Sequence, residues 1–134
     1  MVNFGVGKFL NSTDDVISYI GPNTSIEGDL HADASIHIDG KVKGSVLCNG
    51  DVIIGETCKF QGSIKAKNVM VSGHIIGDIE SSNGLEIMAT GKVEGDIKGS
   101  KLFVHEGGIY KGKVNMDVIE AQSIYEGLFQ VVPT

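Results

Sequence analysis

Polar and apolar residues alternate strictly around a glycine at seven places along this chain. One such place reads "GKVEGDIKGS"; others read "GKVKGSVLCN", "GHIIGDIESS" and "GGIYKGKVNM". The glycines are Gly28, Gly44, Gly62, Gly77, Gly95, Gly112 and Gly127, spaced 15 to 18 residues apart. Two residues before them stand Ile26, Val42, Phe60, Ile75, Val93, Tyr110 and Tyr125, and two after stand Leu30, Val46, Ile64, Ile79, Ile97, Val114 and Phe129. Eight before stand Ile20, Ile36, Ile54, Val69, Ile87, Val104 and Ile119, so all 21 positions are apolar or aromatic. The immediate neighbours of the glycines are polar in 12 of 14 cases, with Ile76 and Leu128 the exceptions. A period of two predicts strands with one buried face.

Short strands at a long fixed period predict a solenoid, each coil laid on the last in a parallel ladder. A small residue sits four before each glycine (Thr24, Gly40, Cys58, Gly73, Gly91, Gly108, Ser123) and marks a crowded corner. Asp33, Asn49, Asn68, Asn83, Ser100 and Asp117 suit a second corner. On this alignment all length variation collects at that second corner. Seven coils about 4.8 Å apart make a rod about 30 Å long. A left-handed helix needs three equal hexads per coil. Ile36, Val42, Cys48, Ile54 and Phe60 keep that step, but Ala66 and Ser72 lose it. The calcium-binding nonapeptide is absent. The expected fold is all-β: a right-handed parallel β-helix of about seven coils over residues 20–130. A tail of residues 1–19 precedes it and a tail of residues 131–134 follows.

Composition narrows the function. With 134 residues and a net charge of −6, the chain is one domain with no positive face for nucleic acid. All eleven basic residues are lysine, which removes the bidentate arginine contact that phosphate sites favour. Cys48 and Cys58 match no metal or redox spacing and are expected as reduced core thiols. No apolar run is long enough to span a membrane and no cleavable signal peptide is read, so a cytoplasmic protein is expected. His31, His37, His74 and His105 are expected to point outward on different coils as solvated surface residues. His37 and Asp39 are the best pair for acid–base chemistry, a spacing read as chance. Asp96, Lys98, Lys111 and Lys113 are expected to form cross-coil pairs. No catalytic residue, metal site or cofactor is assigned.

Soluble solenoids shield their terminal coils with polar caps. Here the last coil carries Ile124, Tyr125, Leu128 and Phe129, followed by Val131 and Val132, which invites another copy. The expected polymerisation interface is therefore Phe129, Tyr125, Leu128 and Ile124 at one end, and Ile20 and Ile26 at the other. At the N-terminus, Met1, Val2, Phe4, Val6, Lys8, Phe9 and Leu10 suit an interfacial membrane anchor. A structural scaffold is the first function class. The alternatives are a solenoid enzyme, hexapeptide acyltransferase-like or polysaccharide-active, or a monomeric binding module.

The rungs "TSIEGDL", "GKVKGSV", "GKVEGDI" and "GGIYKGKV" resemble those of the bactofilins, bacterial cytoskeletal proteins. The likeness covers residues 20 to 130. It implies a right-handed β-helix that polymerises end to end without nucleotide, into filaments lacking polarity. It also implies a short N-terminal peptide that attaches the filament to the inner face of the cytoplasmic membrane. Cell-wall synthesis or remodelling enzymes are the implied partners, and cell shape the implied role. Phe129 looks like the counterpart of the family's polymerisation determinant near the end of the helix.

Overall fold

The computed structural model of the chain describes residues 17–121. They form eleven strands and no helix: β1 (Ile17–Ile20), β2 (Ser25–Ala32), β3 (Ser35–Ile38), β4 (Lys41–Cys48), β5 (Asp51–Ile54), β6 (Lys59–Val71), β7 (His74–Ile87), β8 (Lys92–Glu94), β9 (Ile97–Val104), β10 (Ile109–Lys111) and β11 (Val114–Ala121). Every pairing between them is parallel, so the fold is the expected β-solenoid. Six glycine-centred rungs lie in the described residues, giving about six turns rather than seven. The rung on Gly127 lies outside the described residues. β1 pairs with β3 from Ile17 onward, three residues before the expected start of the helix.

Each turn has three faces. The first carries β1, β3, β5 and the closing residues of β6, β7, β9 and β11. The second leads into the rung glycine, and the third follows it. The rung glycines take φ between +131° and +141° and close on the coil below. A Cβ on Gly62 would lie 1.7 Å from the Gly44 carbonyl oxygen, and the same crowding recurs at Gly44, Gly77, Gly95 and Gly112. Only glycine satisfies both the dihedral and the contact. The sequence pattern shows the glycine in every rung but not this double demand.

Inward side chains stack in columns by the ladder register. On the second face they are Ile26, Val42, Phe60, Ile75, Val93 and Tyr110, and on the third Leu30, Val46, Ile64, Ile79, Ile97 and Val114. All but Ile26 are buried, as the alternation predicts. The first face departs from expectation. The residues eight before each glycine are not one column but two. Ile20 stacks on Ile38, Ile54, Val71, Ile87 and Val104, whereas Ile36 stacks on Val52, Val69, Leu85, Leu102 and Ile119. The cause is length variation at both corners rather than one. Between first and second faces the turn holds residues 21–24, 39–40, 55–58, 72–73, 88–91 and 105–108, so it has either two or four residues.

Short corners nest on long ones. A Cβ on Gly40 would meet the carbonyls of Thr24 and Gly21, and one on Gly73 those of Gly55 and Cys58. This is the crowding expected four residues before the glycine. Hydroxyls staple successive corners: Thr57 Oγ1 donates to the Asp39 carbonyl (2.7 Å) and Thr90 Oγ1 to that of Ser72 (2.8 Å). At the other corner β6 and β7 run through as single strands of 13 and 14 residues, and the length variation there shows as register shifts between Ala66 and Asn68 and between Ser81 and Leu85.

Cys48 and Cys58 are free and buried, as expected. Desolvation, with Asp39 adding to it, pushes the Cys58 thiol from 9.0 up to about 12. The folded state therefore holds this proton more tightly than the unfolded chain. The associated stability is complete below the unfolded thiol's value of 9.0 and is lost as pH rises toward about 12. The urea midpoint is expected to fall between pH 9 and 12, and to fall less steeply in Cys58→Ala. Equal slopes would remove the thiol from the account.

Candidate assembly surfaces

The chemistry of this molecule lies at its ends and along its faces. At the N-terminal end, β1 is bonded only to β3 and β2 only to β4 among the described residues, leaving one backbone edge of each strand unpaired. Such an edge is a template for another strand. Gly28 sits on that edge with φ +131° and nothing within 4 Å of a Cβ placed on it. It keeps the shape that in every later coil receives the carbonyl of a neighbouring glycine.

Of the expected interface residues at this end, Ile26 is partly buried against the core and Leu30 beside it is 9% exposed. Ile20 is already 4% exposed, so its own coil and the next cover most of it. At the opposite end Met116 and Ile119 are partly buried. Phe129, Tyr125, Leu128 and Ile124 lie outside the described residues, as do Met1, Val2, Phe4, Val6, Lys8, Phe9 and Leu10.

The histidines do stand on different coils, but they are not simply solvated. Each lies beside a carboxylate: His31 and Asp33 at 3.6 Å, His74 and Glu94 at 3.7 Å, His37 and Asp39 at 3.1 Å, and His105 and Glu86 at 2.5 Å. The first two distances exceed hydrogen-bond reach. The structure also adds a member to the His37–Asp39 pair. Tyr19 donates its hydroxyl to Asp39 Oδ2 at 2.6 Å, and its ring meets His37 edge-on at 5.2 Å. That hydrogen bond, then desolvation and the Asp39 charge, raises the Tyr19 pKa, so the hydroxyl stays protonated as a donor. Gly55 in the third coil makes room, since a Cβ there would overlap Asp39 Oδ1. The cluster ties the first two coils together, and among the described residues no cysteine or serine side chain is hydrogen-bonded into it.

The expected cross-coil pairs of Asp96, Lys98, Lys111 and Lys113 do not form within 4.0 Å among the described residues. Lysine–carboxylate pairs form instead between Lys65 and Glu80 at 3.4 Å, on adjacent coils, and between Lys92 and Glu94 at 3.6 Å, along one strand. Both are open to solvent on at least one side and contribute about 0 to 1 kcal/mol. The register sets opposite signs against one another at Glu27 and Lys43, Glu80 and Lys98, and Glu94 and Lys111, yet only Lys65 and Glu80 close within 4.0 Å across coils among the described residues, so most outward charges act as a solvated surface.

Comparison with known proteins gives this architecture relatives. The family model for bactofilin, polymer-forming cytoskeletal, matches residues 18–115. Bactofilin BacO of Myxococcus xanthus is 30% identical over 101 residues, covering 75% of this chain and 80% of BacO. Bactofilin BacP of the same organism is 27% identical over 101 residues, and the match spans 42% of its length. A cryo-EM reconstruction of Thermus thermophilus bactofilin double helical filaments superposes with a TM-score of 0.68 at 29% identity, over 74% of this chain and 98% of that one. A mutant crystal structure of a bactofilin from the same organism shares the fold, with a TM-score of 0.57 at 22% identity, over 80% of this chain and 100% of that one. Stacked glycine rungs, a parallel ladder with an open end and the matched span agree: the chain belongs to the bactofilin family of polymer-forming cytoskeletal proteins.

Proposed function

We propose that this protein is a scaffold whose rods join end to end into nucleotide-independent filaments without polarity. The observation that carries this reading is the unpaired N-terminal edge of β1 and β2, with Gly28 open above it. Adding a second copy there would pair backbone groups and cover Ile26, which the described residues leave only partly buried. Phe129 is the matching residue at the far end. Burying its ring against another copy contributes about 2 to 3 kcal/mol, and a two-fold joint uses it twice. The Thermus relative assembles as double helical filaments, and we take the same two-stranded form for this chain.

Phe129→Arg tests the reading. Two positive charges would then face each other in an apolar joint. The variant is expected to remain soluble with an unchanged β-rich spectrum, and to form short dimers joined by their N-terminal ends. Long filaments of the variant in electron micrographs would refute the role given to Phe129. Wild-type protein that sediments as a monomer would refute the filament itself, and would favour a binding module or solenoid enzyme.

The filament is further proposed to lie on the inner face of the cytoplasmic membrane and to organise cell-wall or cell-shape machinery. Its attachment would use Met1, Val2, Phe4, Val6, Lys8, Phe9 and Leu10. One such peptide binds weakly, but a filament presents many. Full-length protein is expected to pellet with liposomes and a chain shortened to begin at Asp14 is not; equal behaviour of the two would discard the anchor.

A further inference from the structure

The three faces of the rod differ in what they show to solvent. On the second and third faces the outward columns are dominated by charged and polar residues, interrupted singly by Ile76, Leu47 and the half-buried Ile109. The first face is different. One outward column runs Tyr19, His37, Ile53, Met70, Glu86 and Phe103. Beside it runs Asp51, Asn68, Gly84, Lys101 and Val118. Tyr19, Met70 and Val118 are 43%, 38% and 44% exposed. A shallow groove of about 500 Å³ follows both columns, between Asp51 at one end and Lys101 and Val118 at the other.

This face is self-complementary. Asp51 and Lys101 stand at equal distances either side of the midpoint between Asn68 and Gly84. A second rod laid antiparallel against the face, about a two-fold axis at that midpoint, would bring Lys101 of each copy to Asp51 of the other. The same operation sets Ile53 against Phe103 and Met70 against Glu86, whose carboxylate is already engaged by His105. It also sets Asn68 over Gly84. That glycine is not required by its own coil, since a Cβ there would approach nothing closer than 3.6 Å and its φ is not positive. Its missing side chain leaves a notch on the outer surface, opposite Asn68, whose amide Nδ2 donates to Asp51 Oδ1 of its own rod at 2.9 Å and so leaves the second Asp51 oxygen for Lys101 of the other copy.

We propose that the first face is the lateral contact between the two strands of the filament, formed by rods that lie antiparallel across it and held by reciprocal Asp51–Lys101 pairs around an apolar stripe. The proposal rests on the end-to-end reading above. The occupant is a second copy rather than a lipid surface because of charge. Of the ten lysines in the described residues only Lys101 stands on this face, beside Asp51 and Glu86. An anionic bilayer would need the opposite balance.

Size then decides when the contact forms. A face four residues wide and about 30 Å long covers about 400 Å² per copy, below the roughly 800 Å² per partner of a stable complex. A lone pair of rods therefore stays apart. End-to-end joining lines up the stripes of successive copies and multiplies the contact, so strands pair only after they have lengthened.

Electron microscopy of three proteins tests this. Wild-type filaments are expected as paired strands, Lys101→Asp as single strands of similar length, and the exchange Asp51→Lys with Lys101→Asp as paired strands again. Gly84→Gln, which fills the notch without a clash inside the rod, is expected to give single strands too. Paired strands of Lys101→Asp, or single strands of the exchanged protein, would overturn the assignment while leaving end-to-end assembly standing. Liposome binding lost in Lys101→Asp with pairing intact would give the face to the membrane instead. Wild-type protein forming no filament would overturn the end-to-end reading and this contact with it.

Discussion

Gly62→Ala is expected to unfold the rod, whereas Gly28→Ala is expected to leave it folded. Both glycines hold a φ that L side chains rarely adopt, +139° and +131°. That strain alone costs on the order of 1 to 3 kcal/mol. Only at Gly62 does the new methyl also meet backbone, 1.7 Å from the Gly44 carbonyl oxygen. Ordinary contact needs about twice that separation, so two coils must part where their ladder is continuous through Gly44 and Gly62. The summed penalty reaches about 4 kcal/mol or more, a large part of the roughly 5 to 15 kcal/mol that holds a domain. Urea midpoints followed by circular dichroism check the difference. Equal loss in the two variants would mean that the dihedral, not the stacking, explains the glycine. Gly28→Ala has a second expected effect: its methyl projects from the N-terminal end and holds off the next copy, so folded protein should lack N-terminal joints.

Ile79→Asp is the second large effect. Ile79 is 2% exposed and stacked between Ile64 and Ile97 in the third-face column. Deleting its apolar atoms costs about 2 to 5 kcal/mol by itself. The carboxylate would then stand between Ile64 and Ile97 with no cation in the column, adding several kcal/mol of desolvation. The variant is expected to lose its β-sheet spectrum at room temperature. Ile79→Val, which removes one methylene, should cost only about 0.5 to 1.5 kcal/mol. A folded Ile79→Asp protein would mean that the third face can open locally without loss of the rest.

Much of this molecule can be read without coordinates. The columns Ile26 to Tyr110 and Leu30 to Val114 were legible because each coil repeats the same alternation at a constant distance from its glycine. Membership of the family was legible for the same reason: a rung is weak alone, but a series in one register is specific. The first face was less legible. Ile20 and Ile36 both read as the residue eight before a glycine, yet one stacks on Ile38 and the other on Val52. Sequence distance equals coil position only while the intervening corner has constant length, and that corner switches between two and four residues.

Pairing across coils was hidden by the same geometry. Tyr19 joins His37 and Asp39 from 18 and 20 residues away in sequence, one coil apart. Lys98 and Asp96 form no ion pair within 4.0 Å among the described residues, although Lys98 stands opposite Glu80 in the register. Alternation, glycine period and the absence of any helical stripe determined a parallel β-solenoid, because strand periodicity and close coil contact are local demands on each residue. Which residues share a column, why the rung glycines from Gly44 to Gly112 are irreplaceable and which face is left apolar were decided only by the tertiary structure. Each of these depends on the vertical register between coils, and that register is set by corner packing between residues that are not neighbours in the chain.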